Sequence, residues 1–191
     1  GVAASFNSPE GIATDGTYLY VADRWNHKIR KIMIATGVVA TLAGGDSRGS
    51  DDGVGAAAKF DNPGGITTDG THLYVVDRGN DKVRKIVLAT GVVTTLAGGV
   101  SGSADGTGAA ASFYLPGGIS TDGTHLYVAD TFNHKIRKVV IATGVVTTLA
   151  GSGSRGRDDG TGAAASFSGP SGITTDGTHL YVADSDNNKI R

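Results

Sequence analysis

The stretch Gly118-Ile-Ser-Thr-Asp-Gly-Thr-His-Leu-Tyr-Val-Ala-Asp130 decides the fold. It reads as two short β-branched runs folded over an Asp-Gly-Thr turn, where glycine supplies the positive φ of a tight hairpin. The same sentence is written four times: Gly11 to Asp23, Gly65 to Asp77, Gly118 to Asp130 and Gly172 to Asp184. Pro9, Pro63, Pro116 and Pro170 mark the period, with spacings of 54, 53 and 54 residues. A fixed period of that length is the signature of a repeat architecture.

One unit contains four strand signals, a to d. Gly11 to Asp15 is strand a, and Tyr18 to Asp23 is strand b. A four-residue b–c loop, Arg24 to His27, leads to strand c over Lys28 to Ala35. Ala35-Thr-Gly37 turns the chain into strand d, Val38 to Ala43. β-Branched residues between glycine-bearing turns carry each signal. The connection that follows, Gly44 to Gly64, is long for a compact domain and is expected to be packed or partly helical. Its Gly55-Ala-Ala-Ala-Lys-Phe60 fits one helical turn, and Phe6, Phe60, Phe113 and Phe167 are expected to pin the connections to the sheets.

Four antiparallel strands per repeat read as propeller blades at about 9–45, 63–99 and 116–151, with an incomplete blade at 170–191. Strand b is apolar throughout rather than alternating, as expected of a sheet covered on both faces. Strand c, with Lys28, Arg30 and Lys31 among isoleucines, reads as more outward, its long stems lying on apolar surface and its charged heads reaching water.

The 191-residue chain can bury a sizeable core. Its net charge of −1 gives no overall field toward nucleic acid or an anionic membrane. Thirty-one glycines with only four prolines, regularly placed, argue against a disordered linker. The absence of cysteine excludes disulfides and thiolate metal sites. There is no run of 18 apolar residues for a membrane helix. The opening Gly1-Val-Ala-Ala-Ser reads as no signal peptide and as the middle of a repeat, hence a fragment of something longer. The compartment adopted is extracellular or cell-surface.

Pro116-Gly-Gly-Ile119, Leu126-Tyr-Val-Ala-Asp130 and Asn133-His-Lys-Ile-Arg137 together resemble the NHL-repeat family of β-propellers. All four copies carry the resemblance. Blade 2 departs at Val76, Asp81 and Val83, and blade 4 at Asn188. The resemblance implies an all-β propeller that in this family usually closes at six blades. About three and a half blades form an open arc, whose two apolar faces mark an association surface. Closure by a second copy, head to tail around a two-fold axis, gives a homodimer with a ring of about eight blade positions. Completion by further blades of a longer protein is the alternative.

The copies differ mainly in the b–c loops: Arg24-Trp25, Arg78-Gly79, Thr131-Phe132 and Ser185-Asp186, with His27, Asp81, His134 and Asn188 two residues on. Topology puts these loops and the long connections at one end. A scaffold varied at one end and constant at the other reads as a binding surface for a protein, peptide or glycan. The candidate binding residues are Arg24, Trp25, His27, Arg78, Asp81, Thr131, Phe132, His134 and Asp186. Asp23, Asp77, Asp130 and Asp184 recur in every copy beside Asn26, Asn80, Asn133 and Asn187, and read as turn architecture, each carboxylate accepting amides of its own b–c turn. His27 and His134 lie two blades apart on loops that do not converge, so no metal or other cofactor is expected. The acidic pairs Asp51-Asp52 and Asp158-Asp159 lack the calcium-loop order and read as solvated loop. No catalytic residue is assigned. A propeller enzyme of the lyase or lactonase type would need one blade with polar residues its siblings lack.

Overall fold

The computed structural model describes residues 4–191; the opening residues, on which the reading of a leaderless start within a repeat rests, lie outside them. Blade 1 is a four-stranded antiparallel sheet in sequence order: β1 (Pro9–Thr14), β2 (Tyr18–Asp23), β3 (Lys28–Met33) and β4 (Val39–Ala43). A two-residue strand, β5 (Gly53–Val54), precedes blade 2, which comprises β6 (Pro63–Thr68), β7 (His72–Asp77), β8 (Lys82–Val87) and β9 (Val92–Gly98). Blade 3 follows the short β10 (Gly106–Thr107) with β11 (Ile119–Thr121), β12 (His125–Asp130), β13 (Lys135–Val140) and β14 (Val145–Ala150). Blade 4 holds β15 (Pro170–Thr175), β16 (Leu180–Asp184) and the start of β17 (Lys189–Ile190). The fold is the all-β propeller that the repeat predicts. The chain divides into two compact units, Gly1–Thr95 and Leu96–Arg191.

The connections do more than a packed loop requires. β5 and β10 each add a fifth strand beside strand d of the blade that follows, β9 and β14. Each connection then makes one 3₁₀ turn, at Gly55–Ala57, Gly108–Ala110 and Gly162–Ala164. Phe60, Phe113 and Phe167 are buried immediately after these turns.

Within the first unit, Tyr20, Ala22 and Ile29 of blade 1 share a core with Ile66, Leu73, Val75, Ile86 and Val93 of blade 2. Within the second, Ala129 and Ile136 of blade 3 pack with Val182 of blade 4. The glycine of Pro-x-Gly-Ile in blades 1 and 3 follows from this stacking. A bulge separates Pro9, opposite Asp23, from Ile12, opposite Val21. It brings Gly11 so close to the Gly64 carbonyl that a Cβ would collide with backbone, and Gly118 meets Ser171 in the same way.

The a–b turns are closed by their aspartates. Asp122 Oδ1 accepts the amides of Thr124 at 2.8 Å and His125 at 2.7 Å, and Oδ2 accepts the Tyr127 hydroxyl at 2.8 Å. Partial burial pushes this carboxyl up, but those donors outweigh it and hold it well below the usual carboxylate range. His72 and His125 reach back to the same carboxylates through Nδ1, at 3.2 and 3.1 Å.

Candidate ligand-binding clefts

Each b–c loop is a single 3₁₀ turn: Arg24–Asn26, Arg78–Asn80, Thr131–Asn133 and Ser185–Asn187. The residue after it is left-handed in every copy: His27 (φ 55°), Asp81 (54°), His134 (54°) and Asn188 (53°). Among residues with a Cβ, Asn, Asp and His are the types enriched in that region. The variation at this position is therefore confined to what the backbone accepts.

His27 and His134 also have a structural bond. The His27 imidazole Nδ1 accepts the Asn62 amide at 3.1 Å, and His134 Nδ1 accepts the Gly169 amide at 3.1 Å. Each histidine thus fastens its loop to the next blade. Asp81 is buried at the corresponding position of blade 2.

The repeating aspartates anchor the connections. Asp77 is fully buried; its Oδ1 accepts the Asp61 amide at 2.7 Å, and its Oδ2 accepts Asn80 Nδ2 at 2.9 Å and Arg84 Nη1 at 2.7 Å. Arg84 also donates to the carbonyls of Lys59 and Asp51, both at 2.9 Å, and to Asp52 Oδ1 at 2.8 Å. Its guanidinium carbon lies 5.1 Å from the centre of the Phe60 ring. Asn80 donates to the Gly49 carbonyl at 2.7 Å. Blade 3 repeats this with Asp130, Arg137, Asn133, Asp105 and Phe113. Asp23 with Asn26, and Asp184 with Asn187, serve blades 1 and 4.

Two expectations are corrected here. The carboxylates take their amide from the incoming connection, sixteen residues upstream, rather than from their own b–c turn. The strand-c arginines do not send their heads to water: Arg84 and Arg137 are fully buried because the connection wraps beneath them and supplies acceptors. The second members of the acidic pairs, Asp52 and Asp159, belong to the same arrangement through Arg84 and Arg191. Burial pushes the Asp77 carboxyl up, against the pull of Asn80, the Asp61 amide and Arg84.

The remaining candidates gather at two places, an ion-pair cluster in the first unit and a cleft in the second. Between blades 1 and 2, Glu10 lies between two guanidinium groups, 3.1 Å from Arg24 and 3.8 Å from Arg78. Trp25, next to Arg24 in the chain, is exposed to solvent. Between blades 3 and 4, Thr131, Phe132, His134, Gly169, Ser171, Ser185 and Asp186 line a cleft of about 350 Å³. Tyr114 extends its aromatic wall, with ring centres of Tyr114 and Phe132 5.3 Å apart. Asp186 Oδ2 is held by Arg155 Nη2 at 3.0 Å, and the Ser171 and Ser185 hydroxyls are hydrogen-bonded. Four sequence candidates, Thr131, Phe132, His134 and Asp186, meet here.

Glu10, Ser171, Ser185 and Tyr114 were not among the sequence candidates. Glu10 and Ser171 occupy the variable position of Pro-x-Gly-Ile, which reads Glu10, Gly64, Gly117 and Ser171 through the copies. That variation was the available signal.

Comparison with known proteins places these features in context. An LVIVD repeat model matches residues 9–27. The chain is 31% identical to human NHL repeat-containing protein 2, with 98% of the chain and 31% of that protein aligned. It is 30% identical to the chloroplastic protein SUPPRESSOR OF QUENCHING 1 of Arabidopsis thaliana, over 98% of the chain and 25% of that protein. The chain therefore spans about a quarter to a third of the length of these relatives. Among solved structures, a Bacteroides thetaiotaomicron protein of unknown function superposes with a TM-score of 0.79 at 25% identity, covering 96% of this chain and 46% of that one. Two more distant structures share the fold alone. An auxiliary nutrient binding protein from Bacteroides ovatus has a TM-score of 0.76 at 21% identity, covering 98% and 48% of the two chains. Virginiamycin B lyase from Staphylococcus aureus has 0.61 at 17%, covering 95% and 50%.

Proposed function

This chain belongs to the NHL-repeat β-propellers, and we propose that it is a non-catalytic repeat scaffold that pairs with a second copy of itself and binds a protein, peptide or glycan at the b–c loop end. One observation carries the self-association. The two exposed sheet faces are the two halves of the contact that blades make inside each unit. Ile12, on the open face of blade 1, is 61% exposed, whereas its counterpart Ile66 is 6% exposed against blade 1. Ile190, on the open face of blade 4, is 75% exposed, whereas its counterpart Ile29 is fully buried against blade 2. Blade 4 thus offers Gly172, Tyr181, Ala183 and Ile190 as blade 1 offers Gly11, Tyr20, Ala22 and Ile29. Blade 1 offers Ile12, Val21 and Ile32 as blade 2 offers Ile66, Val75 and Ile86. Apolar faces with a matching counterpart gain by leaving water.

Two copies joined blade 4 to blade 1 at both contacts form a ring of about eight blade positions. The coverage of the relatives supports a second reading, in which further blades of a longer chain occupy the same faces. The scaffold reading over a lyase or lactonase rests on the recurrent carboxylates, which are engaged with Asn and Arg partners in every blade. Native mass spectrometry of the 191-residue chain at micromolar concentration tests the pairing. A species of twice 19.2 kDa is expected, and a 19.2 kDa species alone refutes closure by a second copy.

A further inference from the structure

We propose that the cleft between blades 3 and 4 is a subsite for a neutral glycan; this deepens the ligand-binding reading above and rests on it. The cleft pairs an aromatic wall with a polar floor. Tyr114 and Phe132 are both about half-exposed, and their rings are tilted against each other at an interplanar angle of 56°. Half-exposed rings held by a rigid turn present an apolar face at low entropic cost. Phe132 is held on both sides. Its amide donates to the Tyr114 carbonyl at 3.2 Å, and Asn133 beside it bonds to Asp130 and to the Gly102 carbonyl. The C–H face of a pyranose packs on such a wall.

The opposite side supplies hydrogen-bonding groups suited to sugar hydroxyls. The Ser171 and Ser185 hydroxyls bond each other and Thr131 Oγ1 donates to the Ala129 carbonyl at 3.4 Å, so each oxygen keeps capacity to accept from a sugar hydroxyl. Asp186 is an acceptor whose Oδ2 is fixed by Arg155 at 3.0 Å and the Ser168 hydroxyl at 3.3 Å. Its Oδ1 accepts no hydrogen bond among the described residues, which leaves a fixed carboxylate oxygen for a sugar hydroxyl. Arg155 balances the Asp186 charge, so among the described residues the cleft offers no free cation to hold a uronic or sialic acid carboxylate, and the ligand proposed is neutral.

The first unit uses the same frame for different chemistry. There Arg24, Trp25 and Arg78 stand where Thr131, Phe132 and Ser185 stand in the second, and Glu10 takes the position that Gly117 holds in blade 3. Between blades 1 and 2 Glu10 pairs with Arg24 and Arg78, whereas in the cleft between blades 3 and 4 Arg155 pairs with Asp186.

The test uses the whole chain on a printed array of neutral mannose-, glucose- and galactose-containing oligosaccharides, followed by isothermal titration of the strongest hit. Phe132→Gly is the informative variant, because blade 2 carries Gly79 at that loop position and the turn forms with it. Binding of at least one neutral oligosaccharide is expected, weakened about tenfold or more by Phe132→Gly and by Asp186→Ala. Failure of every neutral glycan to bind overturns the proposal. So does undiminished binding by Phe132→Gly, or a peptide array on which peptides and not glycans bind in a Phe132-dependent way. The mass of each variant is measured alongside. Loss of glycan binding with the assembly intact assigns the effect to the cleft, and an unbound wild-type chain that still pairs sinks the glycan without touching the scaffold reading.

Discussion

Arg84 is the residue on which the sequence was least readable. Charged side chains are rarely fully buried, so an arginine among isoleucines reads as a rim residue. Its burial depends on the connection, whose Lys59 and Asp51 carbonyls and Asp52 carboxylate reach it from 25 to 33 residues away. No periodicity marks that path. The Asp77 partner was legible as architecture because it recurs in every copy with Asn80. Removing one member of such a buried pair leaves the other charge uncompensated, at a cost of about 3–5 kcal/mol. Arg84→Ala and Arg137→Ala are each expected to destabilise the fold by about that amount in urea unfolding. Arg30→Ala is expected to cost less, because the Arg30 side chain keeps 15% of its exposure and its bond to the Ser5 carbonyl is longer, 3.3 Å. Equal losses at the two sites would contradict this account. The histidines teach the converse. His27 and His134 look like ligands in a variable loop, yet each accepts an amide of the neighbouring blade, a bond visible only once blades are stacked.

The hairpins of each blade were legible from the Asp-Gly-Thr and Ala-Thr-Gly turns and the β-branched runs between them. In blade 1 strand b has the bounds of that reading, and no other strand end differs from it by more than two residues. The fifth strands β5 and β10 were not legible, because two residues of Gly-Val or Gly-Thr carry no alternation. The bulge at Pro-x-Gly-Ile sets how closely blades approach, and it makes one glycine substitution mean different things in different blades. At Gly118 an alanine Cβ would strike the Ser171 backbone, so Gly118→Ala is expected to lower the melting temperature by several degrees. At Gly172 a Cβ meets only the Ala183 Cβ, at 3.5 Å. Gly172→Ala is therefore expected to leave the melting of the isolated chain unchanged and to weaken pairing, because the incoming blade would meet that Cβ. Thermal melts paired with sedimentation of both variants read the two effects separately. A Gly172→Ala chain that pairs as well as the wild type would show that blade 4 does not receive a blade.

The whole molecule is a repeat whose copies agree in what stacks and differ in what faces the b–c loop end. The agreement made the fold legible: Leu19, Leu73, Leu126 and Leu180 each stand four residues before an aspartate that ties down the incoming connection. The cleft was only half legible, since it forms between the b–c loop of blade 3 and blade 4, and one copy read alone contains no cleft. The central claim is that the two open faces are complementary and heterologous, and a mixing experiment decides it. Ile12→Arg spoils the face of blade 1, and Ile190→Arg spoils the face of blade 4. Each variant alone carries a spoiled face at both contacts of a two-copy ring. A mixture of the two restores one unspoiled contact, blade 4 of the first against blade 1 of the second. Native mass spectrometry should therefore show each variant alone at 19.2 kDa and the mixture recovering a heterodimer of twice that mass. A mixture that stays at 19.2 kDa, or single variants that pair as the wild type does, would contradict the account.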